Sequence, residues 1–264
     1  MKKKHIFWLL VTVLFACEEK AEWEIVQGEP FLIADCIITN ELKRHELYLY
    51  WSSDSLNQPV RGYSGATVDI SDGLRMVTFT ENPDGSGKYL ADFPFRATAD
   101  RSYTLTITAE GISDSASAYL TGVAPLNEIN IQPEGEYYRY LVKPSPANYM
   151  LEIYYDWSLV PEYCALYGSC QAMEVFYELN TIDPAKTFAP DKEKIVFPKK
   201  SLIIRRKYSL TKEHQEYARS LLLETEWRGG LFDTDAGNVP TNFKNGLRGW
   251  FAACMVVSDT TFFE

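Results

Sequence analysis

Between residues 232 and 246 the sequence reads FDTDAGNVPTNFKNG and gathers Asp233, Asp235, Asn238, Asn242 and Asn245, five side chains that each offer oxygen. Oxygen donors at short, alternating spacing are what a hard cation such as calcium selects. That ladder is broken here, because Gly237 stands at the third expected position and no glutamate follows at the closing distance. The same side chain types also cap turns and bond nearby backbone. The five residues are therefore read as a structural turn motif, with no metal site. Beyond residue 16 the chain has two histidines, His45 and His214, far apart and without a paired Cys or His spacing, so the usual zinc sites are not expected. Gly62-Tyr63-Ser64-Gly65 falls short of a nucleophile elbow and lies between strands. No glycine-rich phosphate loop leads into a lysine. No catalytic residue is nominated, and the chain is read as a non-enzyme.

The cysteines divide by chemistry. Lys2, Lys3 and Lys4 precede the uncharged stretch from Ile6 to Ala16. That stretch is shorter than the ~20 residues of a membrane-crossing helix and suits the apolar region of a secretory signal. Leu14-Phe15-Ala16-Cys17 resembles a bacterial lipobox, in which the cysteine thiol takes up diacylglycerol and the chain is cut just before it; Phe15 departs from the commoner small or polar residue. A cysteine within an ordinary cleaved signal is the alternative. Residues 1–16 are thus expected to be a lipoprotein signal peptide and residues 17–28 a lipidated tether. Multiple acyl chains anchor stably where one does not. No cofactor is expected beyond the covalent lipid on Cys17. Cys164 and Cys170 enclose a short loop with the turn-prone Gly168-Ser169, so a local disulfide is expected. Cys36 and Cys254 sit in apolar runs, where cysteine also serves as a small core residue, and their pairing is left open.

Net charge excludes some partners. The chain carries −10, and removing residues 1–16 takes away three lysines and no acids, leaving a net charge near −13. Nucleic acid calls for a basic face, so it is not an expected partner. Broad adhesion to anionic lipid is disfavoured for the same reason.

Strands must position these residues. Phe31 to Thr39 is nearly continuously apolar, and Glu46 to Trp51 alternates. Ala66, Val68 and Ile70 share one face, RMVTFT follows, and Asn82-Pro83-Asp84-Gly85 marks a turn. Tyr103, Leu105 and Ile107 point one way with threonines opposite, and a strand through Ser115 to Leu120 closes the set. About seven such strands predict a mainly β fold, with an Ig-like or transthyretin-like β-sandwich over 29–123. Residues 124–264 read as a second β-rich α+β region, with strands at 149–157, 174–179 and 202–208. Its one clear helix spans about 211–226, capped by Ser209 or Thr211 and stopped by Gly229-Gly230. Tyr217, Leu221 and either Ala218 or Leu222 would share its apolar face. GWFAACMVV reads as one buried strand. The basic islands Lys199-Lys200 and Arg205-Arg206-Lys207 are read as guards of a strand edge. Of the aromatics Tyr137, Tyr138, Tyr140, Tyr154, Tyr155 and Trp157, alternation sends half to the core and leaves the rest for sugar stacking or an interface.

The lipobox, FLIADCIITNE, GATVDISD, GKYLADFPFRATADRSYTLTITAEG and above all GLFDTDAGNVPTNFKNGLRGWFAA together resemble a Bacteroidota outer-membrane lipoprotein family, catalogued as domain of unknown function 4249. Trp250 stands where that family more often has tyrosine. The resemblance implies company more than chemistry: an outer-membrane lipoprotein, facing the cell surface, that serves as an accessory subunit of an integral β-barrel such as a TonB-dependent transporter. Glu18 and Glu19 fit the acidic export pattern of surface lipoproteins. The alternative is a surface module that binds glycan or peptide for nutrient uptake, and a hydrolase with an unrecognised site ranks third.

Overall fold

Strict alternation accounts for the first half of the chain. In β6 (Ser102–Ala109) the side chains of Tyr103, Leu105 and Ile107 are buried while the threonines between them face outward. The same period runs through β1 (Leu32–Thr39), β2 (Glu46–Trp51), β3 (Thr67–Ser71), β4 (Met76–Glu81), β5 (Lys88–Ala91) and β7 (Ile112–Tyr119). The computed structural model describes residues 28–53, 58–143, 147–179, 183–191, 193–230 and 237–264, and the protein is mainly β, as expected. No helix among them is long and apolar enough to cross a membrane.

The expected sandwich is replaced by a different closure. All seven of these strands belong to one eight-stranded sheet, in the order β13-β1-β2-β5-β4-β3-β6-β7. The eighth strand, β13 (Arg248–Cys254), comes from the far end of the chain and pairs in parallel with β1. The division expected at 123/124 is therefore crossed by the C-terminal segment. The sheet curls until β7 nears β13, bridged at Thr121 and Cys254, and is almost a closed barrel. Alternation reports only that one face of each strand is buried, which holds for a sandwich and a barrel alike.

A second, four-stranded sheet runs β11-β10-β12-β14, from β10 (Tyr149–Asp156), β11 (Gln171–Glu178), β12 (Ser201–Ser209) and β14 (Val256–Phe263). The hairpin of β8 (Ile131–Glu134) and β9 (Tyr137–Tyr140) covers one face. GWFAACMVV is two strands, because at Met255 the chain leaves the barrel sheet and enters the second sheet as β14. There the Met255 carbonyl accepts from Ser209 N–H at 2.9 Å, and Met255 N–H donates to Ser209 Oγ at 2.8 Å. Phe251 and Ala253 face the barrel interior, whereas Ala252 and Cys254 face the core between the sheets. That two-sided burial is why the segment shows no alternation.

The helices are α1 (Pro161–Tyr167), α2 (Pro184–Thr187) and α3 (Lys212–Glu224). Thr211 caps α3 by accepting from His214 N–H. The helix stops at Glu224, short of the expected Gly229-Gly230, where Trp227 N–H turns back to the Leu222 carbonyl. Its buried stripe is His214, Ala218 and Leu222, with Tyr217 at the margin, stacked on Trp250 at 4.6 Å.

The basic islands do not guard an edge. β12 is an inner strand, and Arg205 and Lys207 are buried. Arg205 forms a two-pronged pair with Asp259 and donates to the Asn127 carbonyl at 2.9 Å and to Tyr140 Oη at 3.2 Å. Lys207 donates to the Pro125 carbonyl at 3.1 Å and lies 4.3 Å from the Tyr149 ring centre. Arg206, on the opposite face, ties Glu152 of β10 to Glu41 beyond β1. Buried cations stay only where such partners replace water. Lys199 and Lys200 lie in an exposed turn.

The seam between β7 and β13 is clasped by two side chains. Asp114 is 1% exposed, and its carboxylate accepts backbone N–H groups from Lys244, Asn245 and Leu247, each at 2.9 Å. Asn242 accepts from Phe251 N–H at 3.0 Å, donates to the Phe251 carbonyl at 2.7 Å and reaches the Ser117 carbonyl at 3.4 Å. Gly249 at φ 98° lets β13 lie against β1, where a Cβ would run into the Ala34 carbonyl. Replacing Asp114 with alanine removes the acceptor of three backbone amides, that of Leu247 buried, so equilibrium urea unfolding should show a loss of about 3 kcal/mol, with Asp114→Asn losing less.

Candidate interaction surface

The Cys164–Cys170 disulfide is present, with Cα atoms 4.5 Å apart. Several interactions fix the loop it closes. Trp157 is fully buried; its Nε1–H donates to the Ser169 carbonyl at 2.7 Å and its backbone N–H to the Cys170 carbonyl at 3.0 Å. Pro161 opens α1 and Gly168, in the left-handed region, ends it. Tyr163 and Tyr167 pack against the Trp157 ring with centroids 5.1 and 4.9 Å away. The Tyr163 hydroxyl donates to the Val196 carbonyl at 2.5 Å. The loop is thus pinned to the distal end of the four-stranded sheet, the end away from the barrel.

That end carries exposed apolar side chains. Leu159 is 66%, Leu166 69%, Met173 60%, Phe262 47% and Tyr167 41% exposed. Register adds to them: Met173, Tyr154 and Ile204 lie side by side across β11, β10 and β12, and Leu202 pairs with Phe262 of β14. The proximal half of this sheet face, with Met150, Val175 and Tyr208, is covered by α3 and β13 in the core between the sheets. The distal half packs against neither neighbouring core. Apolar surface concentrated in this way marks an interaction site more often than isolated exposed residues do. Of the six aromatics Tyr137, Tyr138, Tyr140, Tyr154, Tyr155 and Trp157, half are core residues, as alternation requires: Tyr140, Tyr155 and Trp157 are buried, whereas Tyr137, Tyr138 and Tyr154 are half-buried.

The remaining sequence-nominated residues lie elsewhere. Cys17, Glu18, Glu19, Asp233 and Asp235 fall outside the described residues. Asn242 and Asn245 belong to the seam clasp, where Asn245 Nδ2 donates to the Ser113 carbonyl at 3.3 Å, and Asn238 stays exposed. Among the described residues no group of three or more His, Cys, Asp or Glu side chains could hold a metal ion. Asp114, which organises the clasp, was missed in the sequence because ISDSASAY displays no special pattern around it. The unusual signal was one buried position occupied by an acid.

Cys36 and Cys254 are free and buried. They project from opposite faces of the same sheet, Cys36 into the barrel and Cys254 into the core between the sheets, which leaves them no shared space for a bond. Cys254 Sγ lies 3.9 Å from His214 Nδ1. Burial pushes the Cys254 thiol up to about 12 and the His214 imidazole down to about 4, so this is a contact of neutral groups, unlike a thiolate–imidazolium nucleophile. His45, buried in the barrel, is likewise lowered to about 4, chiefly by burial and then by Lys43. Its Nε2 meets the Phe95 carbonyl at 3.1 Å, and its Nδ1 has no partner among the described residues, as suits a neutral ring.

Among curated proteins nothing matches the chain. Two measurements check the energetics. The folded pKa of His45 and His214 lies below the unfolded value of about 6.5, so their contribution to stability is complete above that pH. It should fall by about 1.4 kcal/mol per pH unit per histidine as the pH drops toward 4, and His214→Gln should remove its share of that slope in urea titrations. Opening the small disulfide loop with Cys164→Ser and Cys170→Ser should cost about 2 kcal/mol and increase amide exchange in α1. A family model described as a domain of unknown function, DUF4249, matches residues 18–260, nearly the whole sequence, and the chain belongs to that family.

Proposed function

We propose that this protein is a non-catalytic accessory subunit, held at the outer membrane of a Bacteroidota cell by lipid on Cys17, that binds an integral β-barrel such as a TonB-dependent transporter. The observation that carries the reading is the apolar distal end of the four-stranded sheet, where Leu159, Leu166, Tyr167, Met173 and Phe262 are each exposed. A surface pinned by a disulfide and by Trp157 loses little side-chain and loop freedom on docking, which lowers the entropic cost of association. The outward face of a membrane barrel and its short turns offer apolar and aromatic surface to match. Glu18 and Glu19 support display on the cell surface.

Mild-detergent extraction followed by affinity purification should recover a barrel protein in near-stoichiometric amount, and Leu166→Glu with Met173→Glu should cut that recovery about tenfold. Recovery of the unmodified protein alone would overturn the reading. Protease treatment of intact cells should digest it, whereas digestion only after lysis would exclude surface display.

A further inference from the structure

The barrel has an open mouth at the end opposite the one where the chain enters it. Leu32 pairs with Trp51 at the entry end, and the β3–β4 turn beyond Ser71 and Met76 lies at the other. The mouth is a groove of about 590 Å³, within the ~300–1,000 Å³ range of clefts that bury most of a ligand. Its floor is apolar, formed by Ile70, Val77, Phe95 and Tyr103. On its rim Leu74 is 81%, Met76 66% and Phe93 51% exposed.

The rim is also basic, in a chain of net charge −10. Arg75, Arg96 and Arg101 line the groove beside a single acid, Asp72. That acid is already engaged. It pairs with Arg101 at 2.9 Å and accepts the N–H groups of Leu74 and Arg75 at 2.9 and 2.7 Å, which holds the turn in shape. Arg75 and Arg96 are exposed, and neither has a carboxylate within ion-pair distance among the described residues. Two guanidinium groups that no described carboxylate neutralises, beside three exposed apolar side chains, ask for a ligand with both chemistries.

We propose that this mouth is a docking groove for a peptide segment of a partner protein in which apolar side chains are flanked by aspartate or glutamate. The recessed floor suits side chains inserted one at a time, which a flat bilayer does not supply, and the acidity of the rest of the chain opposes approach to anionic lipid. The groove is on the barrel, apart from the distal sheet surface, so the inference stands independently of the membrane-subunit reading.

The test is fluorescence anisotropy on the purified full-length protein with a fluorescein-labelled decapeptide carrying Phe-Leu between aspartates and glutamates. Saturable binding is expected, weakened about tenfold by Arg75→Ser with Arg96→Ser and by a comparable factor in about 0.5 M salt. A peptide with lysines for the acids should not bind, and Lys199→Ser, in the exposed turn of the other module, should leave the affinity unchanged. Both arginines are exposed and have no carboxylate partner among the described residues, so their variants should keep the unfolding midpoint, which is checked alongside. Absence of saturation up to about 1 mM peptide, or affinity unaltered by the double arginine variant, overturns the proposal. So does stronger binding to phosphatidylglycerol vesicles than to the peptide, which would assign the groove to a lipid surface.

Discussion

One carboxylate draws the two ends of the curled sheet together, at the seam between β7 and the segment that leads into β13. Asp114 sits on β7, the last of the N-terminal strands, and holds three backbone amides that belong to residues 244–247. An acidic side chain at 1% exposure persists only because those donors replace water. Once the amides are captured, Asn242 brings Phe251 to Ser117, Phe243 meets Ala116, and β13 is delivered alongside β1. Without this clasp the sheet would end in two open edges, β7 and β1, and β14 would lose the strand that leads into it.

Everything beyond the barrel follows from where β13 ends. Its outer face supplies Trp250, Ala252 and Cys254, on which α3 lies through His214 and Tyr217. Met255 then passes the chain to the second sheet, whose inner strand β12 is held by Arg205 to Asp259 and by Arg206 to Glu41 and Glu152. These charges sit where two layers and a hairpin meet, and they fix how the second sheet lies against its neighbours. The consequence is two separated surfaces. One is the distal end of the second sheet, stiffened by its disulfide loop. The other is the basic mouth of the barrel.

Much of this was legible in the residues. The period-two pattern through Tyr103, Leu105 and Ile107 located β6, and the helix capped by Thr211 was visible to within two residues at either end. Cys164 and Cys170 were close enough in sequence for their bond to be local. The errors share a cause. Arg205 and Lys207 looked like exposed charges because their partners, Asp259, Asn127 and Pro125, lie more than fifty residues away. GWFAACMVV looked like one strand because burial on both faces erases the period that would have marked the break at Met255.

The sequence by itself determined the class of the fold, the position of most of the longer strands, the local disulfide and membership of the family matched over residues 18–260. These are properties of neighbours in the chain, set by side-chain alternation, turn chemistry and short loops. Only the tertiary structure decided that the sheet curls toward a barrel, that its eighth strand comes from the C-terminus, and which apolar and basic side chains remain uncovered. Those outcomes depend on long-range pairing and on the desolvation of particular groups such as Asp114 and Arg205. No local pattern encodes them, because a strand's alternation records that one face is buried and leaves the covering partner unspecified.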